Sequence, residues 1–370
     1  MKTARLLLAL LSFGCGASTP APETTPPVEA SSEGAALYAQ YCALCHGAEG
    51  EGYAADNATR LRGQDLLRTG SDAFFETAIA RGRPGTAMGG YIRDRGGPLD
   101  EVQVGELVQF IRAWQREPAL DLPDTPIEGD AEHGAHLYET HCQACHGVLA
   151  DGGTSAQSLN RWSFLSTVSD SFLRYAIEHG RPDTPMPAFG ETLSDTEQND
   201  LVAFLRAFEE EPNHLPEHLA PPPLADMPLL RHPDGDAPSF TLREGRYVPA
   251  TEVLTALQAE QRFVLLDARA TSDWLIRRIP GSLPVPYYMV TSRDPHDPDM
   301  APLAARLPRD GTWIVAYCGC PHAASGAVMD ALRELGFENT AVLDEGVYHW
   351  IDEGYPTEEG PLDSVDESAP

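Results

Sequence analysis

Two pentapeptides bring two thiols and an imidazole onto one turn of chain: Cys42-Ala-Leu-Cys45-His46 and Cys142-Gln-Ala-Cys145-His146. Cys-x-x-Cys-His is the pattern of covalent haem attachment. The thiols add across the two vinyl groups of a haem, and the adjacent imidazole is held beneath the iron as proximal ligand. The competing chemistries are a redox dithiol and half of a zinc site. Zinc needs further soft ligands, and residues 33–118 hold no Cys or His beyond the first motif.

The sixth iron ligand follows by elimination. Met88 is the only methionine in residues 33–118, and Met186 the only one in residues 132–211. Met88 lies 42 residues after His46, and Met186 lies 40 after His146. Both close a Gly-Arg-Pro-x-Thr-x-Met block, which favours ligation over plain core packing. In the second copy His133, His136, His141 and His179 stand as rival ligands.

A third cluster, Cys318-Gly-Cys320-Pro-His322, breaks the pattern. Haem attachment needs two residues between the thiols and His directly after them, so a third haem is not expected. A soft-metal site and a strained, reducible disulfide across one residue both stay open. The reading that best fits the neighbourhood is a nucleophilic thiol. Loop N–H groups before a helix N-terminus stabilise a thiolate or a persulfide anion on Cys318. Cys320 could then attack such a persulfide, releasing sulfide and leaving a disulfide.

These motifs need elements to hold them. "GAALYAQYCALCHG" and "GAHLYETHCQACHG" repeat at an offset of one hundred residues, followed in order by "GRPGTAM"/"GRPDTPM" and "VQFIRAW"/"VAFLRAF". Three matching blocks in one order mean a duplicated domain. Each copy reads as all-α. Ser71–Gly82 and Ser169–Gly180 open on Ser/Asp caps and close on Gly. Leu99–Trp114 and Leu193–Phe208 carry apolar residues three and four apart, with a Ser194/Glu197 capping box in the second.

A proline-rich segment, 212–244, then separates the copies from a region of different pattern. Phe263–Arg269 and Thr312–Cys318 are short apolar, β-branched runs, the mark of buried parallel strands. Helical stretches at Thr251–Glu260 and Ala323–Leu335 alternate with them, so an α/β domain with a parallel sheet is expected. Cys318 falls at the carboxyl end of a strand, where such sheets place their chemistry.

The N-terminus reads as an export signal over residues 1–17. Lys2 and Arg5 precede a short apolar run, Leu6–Phe13, too short to span a bilayer. Residues 18–32 form a Pro/Thr/Ser tether. The formal charge of −30 disfavours nucleic acid and anionic lipid as partners. Residues 359–370 are an acidic tail.

Three resemblances sharpen these expectations. "LLSFGC" is similar to a bacterial lipoprotein signal in which Cys15 is lipidated, although Leu11 lies four residues before the cysteine rather than the usual three. Ordinary cleavage near Ala17 is the alternative. Residues 33–118 and 132–211 each resemble a class I c-type cytochrome, the second more closely through "DTPMPAFG". The first lacks the proline that often follows the methionine. This implies two covalently bound haem c groups, electron transport, respiratory redox partners such as a terminal oxidase, and a periplasmic or cell-envelope location.

Residues 245–358 resemble a rhodanese domain through "LLDAR", "IPGSLPVPY", "VAYC" and "LDEGVYHW". That implies persulfide chemistry on Cys318, with Asp267 and Arg269 organising the site and thiosulfate or polysulfide as sulfane donor. The loop after Cys318 departs from the family, having no arginine and a proline at position 321. The expected architecture is therefore multidomain: two all-α cytochrome c domains and one α/β rhodanese-like domain. An inert rhodanese-like module that only binds a partner is the competing function.

Overall fold

The computed structural model describes residues 31–55, 57–152, 156–208, 222–289, 301–319 and 322–360. The export segment with Cys15, nearly all of the tether, Cys320, Pro321, the first part of the proline-rich linker and the tail from residue 361 lie outside the described residues.

Each copy of the repeat is a small helical domain. In the first, helices Ser32–Tyr41, Ala43–His46, Gln64–Thr69, Asp72–Arg81 and Glu101–Arg112 follow in order. In the second, Ala131–His141, Gln143–His146, Trp162–Leu165, Asp170–His179 and Asp195–Arg206 do the same. The caps are those the sequence demands. Ser71 and Ser169 accept the backbone N–H of Phe74 and Phe172 at 3.1 and 3.2 Å. The Ser194/Glu197 capping box forms, and Asp100 with Gln103 makes its counterpart in the first copy.

The first and last helices of each copy cross at a glycine. A Cβ on Gly34 would lie 2.4 Å from the Glu106 carbonyl oxygen, and one on Gly134 would lie 2.0 Å from that of Asp200. Only a residue without a side chain lets the backbones approach so closely. Leu37, Tyr38, Leu107, Val108 and Ile111 pack at the first crossing and are buried.

The third domain is α/β. Its five strands, β1 (Tyr247–Val248), β2 (Val264–Asp267), β3 (Leu283–Pro284), β4 (Ile314–Tyr317) and β5 (Thr340–Leu343), form one sheet in the order β1-β5-β4-β2-β3. All neighbouring pairs are parallel. Every residue of β2, β4 and β5 is buried, which explains their unbroken apolar sequences. Helices Ala250–Gln258, Thr271–Ile276, Ala323–Glu334 and Gly346–Asp352 flank the sheet. Among the described residues no helix is long and apolar enough to cross a membrane.

Candidate haem sites and a candidate sulfur site

In both copies the Cys-x-x-Cys-His motif folds as a single helical turn after the first helix. The Tyr38 and Tyr138 hydroxyls donate to the Gly47 and Gly147 carbonyls at 2.8 Å, fastening that turn to the helix before it. His46 Nδ1 lies 2.8 Å from the Thr59 carbonyl oxygen, and His146 Nδ1 lies 2.9 Å from that of Gln157. A carbonyl only accepts, so Nδ1 holds the proton and Nε2 keeps its lone pair. Burial lowers the pKa of both imidazoles, which keeps them in the neutral, metal-binding form.

The thiols move the other way. Burial, with the neighbouring Cys45, pushes the Cys42 thiol up to about 12, and burial with Cys145 pushes Cys142 up to about 11.

The methionine blocks explain themselves locally. Thr86 Oγ1 donates to the Arg83 carbonyl at 2.7 Å and accepts the Met88 N–H at 3.1 Å. Thr184 repeats this between Arg181 and Met186, at 2.6 and 3.2 Å. The threonine staples a tight loop so that the methionine stands at its end.

In the second copy a cavity of about 360 Å³ opens among these groups. Cys142, Cys145, His146 and Met186 all line it, together with apolar side chains such as Ile177 and Leu201. Two thiols, an imidazole and a thioether around one apolar cavity suit a covalently attached haem. Of the rival histidines, His133 is paired with Asp200 at 2.8 Å, His179 stacks on Tyr175 at 4.2 Å, and His136 is exposed. His141 lines the cavity beside Phe189.

The two copies also build each other. Tyr53, Thr59, Arg60, Asp65 and Leu66 of the first line the cavity of the second. Arg181 of the second pairs with Asp65 of the first at 2.9 Å. Reciprocally, the Arg83 guanidinium donates to the Ser163 carbonyl and reaches the Phe74 and Phe164 rings. Asn57 and Gln157 exchange backbone-directed hydrogen bonds, Asn57 Nδ2 to the Ala156 carbonyl at 2.6 Å and Gln157 Nε2 to the Asn57 carbonyl at 2.7 Å. Sequence reading assigned roles to none of these residues. The shared Arg of the Gly-Arg-Pro block was the available signal.

In the third domain Cys318 follows β4 directly and is 2% exposed. Its Sγ lies 3.2 Å from Ser325 Oγ, in the first turn of helix Ala323–Glu334. His322 caps that helix in a left-handed conformation, φ 79°, with its ring against Tyr247 and its Nε2 at the Asp344 carbonyl. The expected Asp267 and Arg269 meet as a buried pair. Arg269 Nε and Nη2 reach the two Asp267 oxygens at 3.0 and 2.6 Å, and Nη2 also donates to the Arg277 carbonyl. Burial alone would depress the guanidinium, but Asp267 lifts it well above its ordinary value. Arg269 is thus committed to Asp267 before any anion arrives. Among the described residues no cluster of three His, Cys, Asp or Glu could hold a metal ion. Cys320 lies outside them.

The third domain docks on the first copy, at the end of its methionine loop. The Gly90 N–H donates to Ser272 Oγ at 2.9 Å, and Ser272 Oγ donates back to the Gly90 carbonyl at 3.2 Å. A Cβ on Gly89 would lie 2.4 Å from Ala270 Cβ and 2.8 Å from Asp273 Oδ2. Burial, opposed by Arg269, raises the Asp273 carboxyl to about 7. Tyr287 donates to the Tyr41 carbonyl and lies 3.3 Å from the Tyr91 hydroxyl, while the Tyr288 ring packs on Tyr41 and Tyr91. The first copy therefore carries Gly-Gly where the second carries Pro187-Ala188. The missing proline noted in the sequence is a close-approach site for another domain.

Comparison with known proteins agrees with this division. Residues 31–115 match the cytochrome c family, residues 129–205 match cytochrome c oxidase, cbb3-type, subunit III, and residues 250–353 match the rhodanese-like domain. Dihydro-heme d1 dehydrogenase of Pseudomonas aeruginosa is 39% identical over 101 residues, 26% of this chain and 20% of that protein. The cbb3-type cytochrome c oxidase subunit FixP of Azorhizobium caulinodans is 28% identical over 181 residues, 48% of this chain and 59% of that protein. The chain thus spans from a fifth to about three fifths of these curated relatives. A rhodanese-related protein from Thermoplasma volcanium is 23% identical, with a TM-score of 0.24 over 30% of this chain and 97% of that one. Cytochrome c domains bind haem c covalently and carry electrons. The chain joins two domains of the cytochrome c family, the second of cbb3-oxidase subunit III type, to a rhodanese-like domain.

Proposed function

We propose that the chain is an exported dihaem electron carrier whose third domain performs sulfur chemistry on Cys318. Cys42 and Cys45 hold one haem and Cys142 and Cys145 the other. His46 with Met88, and His146 with Met186, would supply the ligands to the two haem irons. The bound iron supplies one-electron chemistry, and the protein supplies attachment, ligand orientation and exclusion of water. The cavity lined by both thiols, His146 and Met186 carries this reading. Electron exchange with respiratory proteins is supported by likeness to cbb3-type oxidase subunits. A periplasmic or envelope location, with Cys15 as lipid anchor, rests on the N-terminal sequence.

For the third domain, the supporting observation is Cys318 at the carboxyl end of β4, beside Ser325 and the first turn of a helix. With thiosulfate, the Cys318 thiolate attacks the outer sulfur. The sulfur–sulfur bond breaks, sulfite leaves with its electron pair, and a persulfide remains, with no net electrons exchanged. That transfer needs no electron acceptor; only a further oxidation of the persulfide sulfur would release electrons, and the cytochrome domains alongside would be their acceptor. The second reading, an inert module, is favoured by the 2% exposure of Cys318 and by the docked Asp273 and Ser272. Peptide mass spectrometry after incubation with thiosulfate, and separately with polysulfide, separates the two. A sulfur gained on Cys318 and absent in Cys318→Ser supports catalysis. An unmodified Cys318 with both donors leaves an electron carrier with a binding module.

A further inference from the structure

The copies differ at the face where the third domain packs on the first. In the first, Ala43, Leu44 and Cys45 are half-buried, and Gly89, Gly90 and Tyr91 are buried. Ser272, Tyr287, Tyr288 and the helix Ala323–Glu334 lie over them. In the second, the equivalent Ala144 and Cys145 are exposed, as are Pro185, Pro187 and Ala188. Pro185, Pro187 and Cys145 line the mouth of the 360 Å³ cavity.

We propose that the second cytochrome domain is the docking port for an external redox protein, and that this partner presents an apolar centre ringed by lysine and arginine. The corresponding face of the first domain is already taken by the rhodanese-like domain. The charge of the partner follows from the charge of the port. Residues 129–208 hold eleven carboxylates against four arginines and no lysine. Three of those arginines, Arg174, Arg181 and Arg206, are paired with Asp195, Asp65 and Asp170. Arg60, reaching over from the first domain, is paired with Asp183. The exposed Glu139, Asp183 and Glu191 stand within two residues of the cavity-lining His141, Thr184 and Phe189, adding acidic charge beside an apolar mouth. Such a pairing of charges steers encounter and fixes orientation. The inference rests on the second domain being an electron carrier and is independent of what Cys318 does.

The test uses the haem-loaded full chain with mitochondrial cytochrome c, a lysine-rich redox protein, as probe and no sulfur donor present. Lys2 is the only lysine in the sequence. Carbodiimide coupling therefore joins carboxylates of this chain to lysines of the probe almost exclusively. Cross-linked peptides are expected on Glu139, Asp183 or Glu191. Ala144→Lys and Ala188→Lys should each weaken binding about tenfold at low ionic strength. Ala87→Lys, on the exposed part of the first methionine loop, should not. Unchanged visible spectra certify that the variants fold. Cross-links mapping to the first or third domain, equal weakening by Ala87→Lys, or no binding at low ionic strength would each overturn the proposal.

Discussion

Met88 and Met186 end the same seven-residue block, held by the same threonine staple. The next two residues part company. Gly89-Gly90 lies buried under Ala270, Ser272 and Asp273, whereas Pro187-Ala188 stands exposed. One fold thus has an inward-facing and an outward-facing copy, and two residues set the difference. At these loops the threonine staple is shared and the residues that follow the methionine differ.

The element the copies share should fail alike in both. Gly134→Ala places a methyl 2.0 Å from the Asp200 carbonyl oxygen, against backbone that cannot rotate away. A loss of about 3 kcal/mol or more is expected, and Gly34→Ala should cost the first copy a similar amount. Chemical denaturation followed at each domain checks this. A loss under about 0.5 kcal/mol in either copy would mean that the helices are free to separate at their crossing.

Exchanging the element in which they differ should have unequal effects. Gly89→Pro writes the second copy's residue into the first and drives ring atoms into Ala270 and Asp273. The third domain should undock, seen as faster hydrogen exchange over Thr271–Ile276 and Tyr287–Met289. The reverse change, Pro187→Gly, falls on an exposed residue and should cost only about 0.4–1 kcal/mol through the unfolded chain. Equal exchange in the two variants would refute the close-approach explanation.

The smallest expected effect separates the copies by pH. His133 bonds Asp200 at 2.8 Å, and the first copy has Glu33 in its place. The hydrogen bond to Asp200 raises His133, and the same bond lowers Asp200. The His133 contribution is full below its ordinary value and fades as pH rises through the raised folded value. The Asp200 contribution is full above the ordinary carboxylate value and fades as pH falls through the lowered one. The pair is complete between about pH 4 and 6.5. Melting of the second domain should weaken modestly as pH rises above that window, and His133→Gln should abolish the dependence. An unshifted His133 in an NMR titration would count against it.

Much of this was legible in the sequence because it is local. A Cys-x-x-Cys-His turn, a Ser cap and a threonine three residues from the carbonyl it staples all lie within one loop or helix turn. The repeat also singled out Met88 and Met186 as candidate ligands by their matched positions. What lay hidden is long in range. Ser272 meets Gly90 across 182 residues, and Tyr287 reaches the Tyr41 carbonyl across 246. No periodicity records such contacts. The missing proline after Met88 was visible as a departure, but its cause resides in another domain. The Asp267–Arg269 pair could be named from the rhodanese pattern, whereas its closure onto itself depends on burial that only the folded chain supplies.

The cavity of the second copy borrows part of its wall, Tyr53, Thr59, Arg60, Asp65 and Leu66, from the first. A duplicated gene segment is ordinarily free to be lost again or shuffled elsewhere. Here deletion of the first copy would open one wall of the second copy's cavity and leave Arg181 without Asp65, and deletion of the second would leave Arg83 without the Ser163 carbonyl. The doubling works as a ratchet: each copy now leans on contacts that only the other supplies.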